Sequence, residues 1–118
     1  MAFKFEKLEI WQESIQFVND IYAMSKKLPK AEQFGLTSQL NRAAVSISVN
    51  IAEGAGRNSD ADLSRFIQIS IGSLNEVVTL LHICLNQKHI DKDTFDGFYT
   101  RCEYLSKKMY SFRNYLRS

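Results

Sequence analysis

The residues able to do chemistry concentrate on one face of one segment. Arg42, Ser46, Asn50 and Glu53 follow Gln39 at steps of three or four. On a helix they form one polar stripe of guanidinium, hydroxyl, amide and carboxylate. Folding this segment back against the next brings Arg42 opposite Ser73 and Glu76. Ala43, Ser46, Gly72 and Ser73 are small, so two backbones can approach closely there. The spacing predicts a buried or half-buried Arg42–Glu76 pair, with Asn50 and Glu53 hydrogen-bonded nearby. Such a network fixes helix register. Its rival is an enzyme site built on Arg42, Glu53 and Glu76, and solvent access to Asn50 and Glu53 separates the two.

That stripe exists only if the segment is helical, and its middle argues otherwise. Val45-Ser46-Ile47-Ser48-Val49-Asn50-Ile51 alternates like a half-buried strand. A strand needs partners for its backbone groups, and nothing else in the chain reads as one. The same residues give an apolar helical stripe, Leu36, Leu40, Ala43, Ile47 and Ile51. The prediction is a helix from about Leu36 to Glu53, with Gly54 as a left-handed cap. Gly54-Ala55-Gly56-Arg57 then follows a helix, whereas a phosphate loop follows a strand and carries a lysine and a hydroxyl after its second glycine.

The other reactive side chains form no site. Neither His82 nor His89 has a glutamate three residues before it, so the Glu-x-x-His pairs of a di-iron bundle are missing. No catalytic residue, metal set or cofactor is expected. Cys84 and Cys102 sit among apolar neighbours without metal-type spacing, as reduced core residues of a cytoplasmic protein do. The last segment is different: Arg101, Tyr104, Lys108 and Tyr115 share a flank, with Lys107, Arg113 and Arg117 nearby. Cations interleaved with tyrosines can hold phosphates and stack bases. They can equally be a solvated face whose tyrosines cover the core edge.

Positioning these groups takes long helices. The 118 residues suit one domain, 1–118, and a single proline leaves elements uninterrupted. Net charge is +2, which favours no partner class. The opening Met1-Ala2-Phe3-Lys4-Phe5-Glu6-Lys7 has charges where a signal peptide needs an apolar run. The longest stretch without Asp, Glu, Lys or Arg, Val77 to Gln87, is far short of the roughly 20 apolar residues of a membrane span. No membrane partner is expected.

Four segments carry helical periodicity. The first, about Phe5 to Leu28, has two apolar stripes, Leu8-Trp11-Ile15-Val18-Tyr22 and Ile10-Phe17-Ile21-Met24-Leu28, and Pro29 ends it. The third opens on Ser59 as N-cap, with an inner seam of Leu63, Ile67, Ser70, Leu74, Val77, Leu81 and Cys84. The fourth follows Asp91 with a seam of Phe95, Phe98, Cys102, Leu105, Met109, Phe112 and Leu116, where Phe95 can staple to Ile90. This pattern predicts an all-α, up-down-up-down antiparallel four-helix bundle. Helices one and three carry more apolar surface than one inward stripe each. The surplus, Ile10, Phe17, Ile21 and Met24 with Phe66, Ile69, Leu80 and Ile83, predicts a contact between copies, of the head-to-tail kind that closes rings.

The stretches Phe34 to Arg57 (FGLTSQLNRAAVSISVNIAEGAGR) and Phe66 to Glu76 (FIQISIGSLNE), with Leu8 to Ser14 (LEIWQES), also resemble a known family. It is the four-helix bundle group that includes the 23S rRNA intervening-sequence proteins, with the accessory protein of diversity-generating retroelements as a related branch. The resemblance spans nearly the whole chain. It implies a ring-like homopentamer, no enzymatic activity, and a link to the ribosome or rRNA; the retroelement branch binds nucleic acid and a reverse transcriptase. Two functions follow as expectations: a non-enzymatic, homo-oligomeric RNA- or ribosome-associated protein, or a protein scaffold without a nucleic-acid role.

Overall fold

Stripes of apolar residues at steps of three and four must be buried against one another, and here four helices do so. The computed structural model describes residues 2–118, so Met1 of the opening segment lies outside them. A 3-10 turn, Lys4–Lys7, leads into α1, Glu9–Ser25. A second 3-10 turn, Lys30–Glu32, precedes α2, Leu36–Ala55; α3 is Asp60–Asn86 and α4 is Lys92–Arg117. No strand occurs among the described residues. The helices pack α1 on α2, α2 on α3, α3 on α4 and, more sparsely, α4 on α1. That closes an antiparallel bundle 43 × 24 × 21 Å, its length set by the two longest helices.

The helix starts follow local chemistry. The Ser59 hydroxyl accepts from the Asp62 amide at 3.1 Å, and the Asp91 carboxylate accepts from the Thr94 amide at 2.8 Å. Hydrogen bonds from Thr94 hold the Asp91 carboxyl below its ordinary range. The segment that alternates, Val45 to Ile51, is helical throughout: tertiary burial of Ala43, Ala44, Ile47 and Ile51 outweighs the β-branched penalty.

Two local expectations are corrected. The α-helix begins at Glu9 rather than near Phe5, because Leu8 is extended and separates it from the 3-10 turn. Gly54 is not a left-handed cap; it lies inside α2, which ends at Gly56 with φ −81°. A Cβ on Gly54 would stand 2.6 Å from Phe66 Cβ and 3.0 Å from a Leu63 methyl, so glycine is there for close approach of α3. The left-handed position falls instead at Lys88, φ 63°, just past α3, where the His89 amide donates to the Cys84 carbonyl at 2.9 Å.

The core corrects a larger expectation. Ile10, Phe17, Ile21 and Met24 are buried inside this one bundle, as are Phe66 and Leu80, and so none of the six is free to meet another copy. In α1 the stripe expected to be surplus is the inward one, because α1 sits over the groove between its neighbours and buries Ser14, Phe17, Val18 and Ile21 together. Of the expected contact residues only Ile69 and Ile83 stay exposed, at 42% and 38%. Among the described residues α3 alone is long and apolar enough to cross a membrane. Ten of its residues are buried against the rest of the bundle, which accounts for that composition.

Candidate functional site

Small residues bring α2 and α3 together. The Ser46 and Ser73 hydroxyls share a hydrogen bond at 2.9 Å, and the buried Ser70 hydroxyl donates to the Ile47 carbonyl at 2.9 Å. The Asn50 amide donates to the Ser46 carbonyl at 2.9 Å and to its hydroxyl at 3.0 Å. The charged members of the expected network do not join it. Arg42, Glu53 and Glu76 are all exposed, and among the described residues neither Arg42 nor Glu76 makes an ion pair. Glu53 turns instead to Arg57 at 3.4 Å, just past the end of its own helix. The Arg42–Glu76 pair is therefore corrected to a neutral Ser46–Ser73–Asn50 cluster. Three hydrogen-bonding groups that satisfy one another need no desolvated charge.

The cations of α4 divide into two groups. Arg101 and Lys108 point across the α1–α4 seam into acids of α1. Arg101 meets Asp20 at 2.7 Å, and its guanidinium lies over the Phe17 and Phe98 rings at 5.4 and 5.8 Å. Lys108 bonds to Glu13 at 2.9 Å and to Glu9, with its ammonium 4.9 Å from the Tyr104 ring centroid. Hydrogen bonds that it donates to Glu9, Tyr104 and Glu13 hold the Lys108 ammonium above its ordinary range, and Lys108 in turn holds Glu9 below its own. The second Glu13 oxygen is buried without a hydrogen-bond partner. These two cations are internally neutralised, which weakens their claim on a phosphate.

Lys107, Arg113 and Arg117 make no ion pair among the described residues. Around them stand three exposed tyrosines: Tyr104 at 55%, Tyr110 at 42% and Tyr115 at 74%. Sequence reasoning had not singled out Tyr110 or Val49, the latter 51% exposed on α2. Both were hidden by the assumption that their helices bury apolar residues first. Two more arginines missed from sequence, Arg57 and Arg65, flank Phe66 at 5.0 and 4.8 Å.

The remaining titratable groups are structural. His89 Nε2 lies 3.3 Å from Glu32, whose other oxygen accepts from the Leu36 amide at 3.3 Å and so caps α2. Burial raises the Cys84 thiol and pushes Cys102 up to about 12, which leaves both protonated and unreactive at neutral pH. No group of three or more His, Cys, Asp or Glu that could hold a metal occurs among the described residues.

A bundle of four antiparallel helices, bonded through serines at one pair and ion-paired at another, defines the class: an all-α four-helix bundle. The family model of the 23S rRNA-intervening sequence proteins matches residues 6–111, and the chain belongs to that family. No match to a curated protein is found. Among solved structures, the chain resembles the crystal structure of a protein of unknown function from the S23 ribosomal protein family of Bacteroides thetaiotaomicron. The two share 22% identity at a TM-score of 0.83, over 89% of this chain and 95% of that one. At that identity the likeness concerns the fold.

Proposed function

We propose that this protein is a non-enzymatic, cytoplasmic, self-assembling bundle that binds RNA on or near the ribosome through the C-terminal half of α4. One observation carries the reading: among the described residues Lys107, Arg113 and Arg117 have no acidic partner, and they share α4 with exposed Tyr104, Tyr110 and Tyr115. Unneutralised cations release counterions from phosphates, and tyrosine faces stack bases without demanding a sequence. Membership of a family named for 23S rRNA intervening sequences supports the same partner. Self-assembly into a ring-like homo-oligomer, a pentamer by the resemblance, rests on Val49, Ile69 and Ile83. These are the large apolar side chains that α2 and α3 leave in solvent.

A protein scaffold is the second reading, favoured by the same exposed residues and by a net charge of only +2. A gel-shift series with single-stranded RNA across a range of salt separates the two. Binding is expected to weaken steeply as salt rises, and Lys107→Gln/Arg113→Gln/Arg117→Gln to flatten that slope by roughly two to three phosphate contacts. Absence of retardation at low salt would leave the scaffold.

A further inference from the structure

Above the Lys108 bridge, the α1–α4 seam opens into a groove of about 660 Å³. Leu8, Ile10 and Phe112 supply its apolar walls, with Tyr104, Lys7 and Lys107 also lining it. Sites for small organic ligands span roughly 300–1,000 Å³ and combine apolar walls with a few convergent polar groups. The charge on this groove is one-sided. Its one lining acid, Glu9, is committed to Lys108, whereas Lys7 and Lys107 are exposed and have no ion-pair partner among the described residues.

We propose that this groove binds a single-chain carboxylate amphiphile, its hydrocarbon on Leu8, Ile10 and Phe112 and its head group on Lys7 and Lys107. Burying the chain removes water from apolar walls, and the carboxylate makes charge-assisted hydrogen bonds to ammonium groups that nothing else occupies. A neutral chain would gain only the first of these. A polyanion such as RNA would gain only the second, so this site is distinct in chemistry from the outward stripe, with Lys107 shared between them.

The sole tryptophan, Trp11, lies on α1 one turn from Leu8 and reports on the site. Titrating the full chain with dansyl-undecanoate should give saturable energy transfer from Trp11, displaced by dodecanoate and only weakly by dodecanol. Lys7→Glu/Lys107→Glu should weaken binding by about tenfold or more while Arg113 and Arg117 stay intact. Ser111→Phe, at an exposed position lining the groove, should block the probe without loss of helix content. The proposal fails if transfer does not saturate, or if dodecanol competes as well as dodecanoate. It also fails if Ser111→Phe binds normally, or if light scattering shows that the probe binds only when an oligomer dissociates, which would make a second copy the occupant.

Discussion

The α2–α3 and α1–α4 pairs are both antiparallel and adjacent, yet they are held together by opposite means. Between α2 and α3 small residues stand at the contact, Gly54, Ser46, Ser70 and Ser73 among them, and the backbones lie close enough for hydroxyls to reach across. Between α1 and α4 the contact is made by long charged side chains, Arg101 to Asp20 and Lys108 to Glu9 and Glu13, with grooves of about 660, 170 and 410 Å³ along the seam. Side-chain size sets the helix separation, and separation decides what kind of bond can span it. The close pair excludes ligands; the open pair leaves room for them.

The largest expected effect comes from forcing the close pair apart. Gly54→Val places carbon where Phe66 Cβ and Leu63 already stand, and should lower unfolding free energy by ~3 kcal/mol in urea titration. A loss under about 1 kcal/mol would mean that α2 and α3 can slide without penalty. A matched pair of substitutions sharpens the contrast. Ser70→Leu, at a fully buried position bonded to Ile47, should cost about 2 kcal/mol, whereas Ser111→Leu in the open seam should stay within about 0.5 kcal/mol of neutral. Equal losses at the two serines would erase the distinction between the pairs.

The smallest global effect is expected from acid, and it should be confined to one pair. Glu9 is held below its ordinary 4.5 chiefly by its bond to Lys108. A depressed carboxylate contributes stability that is present above 4.5 and lost as pH falls through the folded value. Lys108, raised above its ordinary 10.5, contributes below that value and loses its share only in strong alkali. No ion pair links α2 to α3 among the described residues. Lowering the pH from about 7 to about 3 should therefore reduce amide-exchange protection in α1 while the α2 segment Ala44 to Ile51 keeps its own. Protection falling in parallel along both helices would contradict that.

The same contrast explains what was legible in the sequence. Helix number and order, and the starts of α2, α3 and α4, were readable because they depend on periodicity and on caps such as Ser59 and Asp91, which act within one turn. The close approach of α2 and α3 was readable because Ala43, Ser46, Gly72 and Ser73 are small; the register was not, since Ser46 rather than Arg42 meets Ser73. Gly54 was misread because its role is set by Phe66 and Leu63 on another helix, and the left-handed conformation falls at Lys88, a residue type that gives no local sign of it. Which stripe of α1 faces inward depends on where two other helices stand. The paired state of Arg101 and Lys108 was hidden for a similar reason: the acids that neutralise them come from the far end of the chain.

That distance along the chain has a kinetic consequence. The bonds joining α2 to α3 close loops of 23 to 27 residues, whereas those from Lys108 to α1 join positions 95 and 99 residues apart. Closing the longer loop from an unstructured chain carries about 1.2 kcal/mol more entropic penalty, and in return the seam offers a few half-exposed ion pairs and one Phe17–Phe98 contact. The α2–α3 hairpin is thus the natural nucleus, with α4 adding to α3 and α1 to α2 as sequence neighbours. The two terminal helices meet last, and their seam is the first place to reopen.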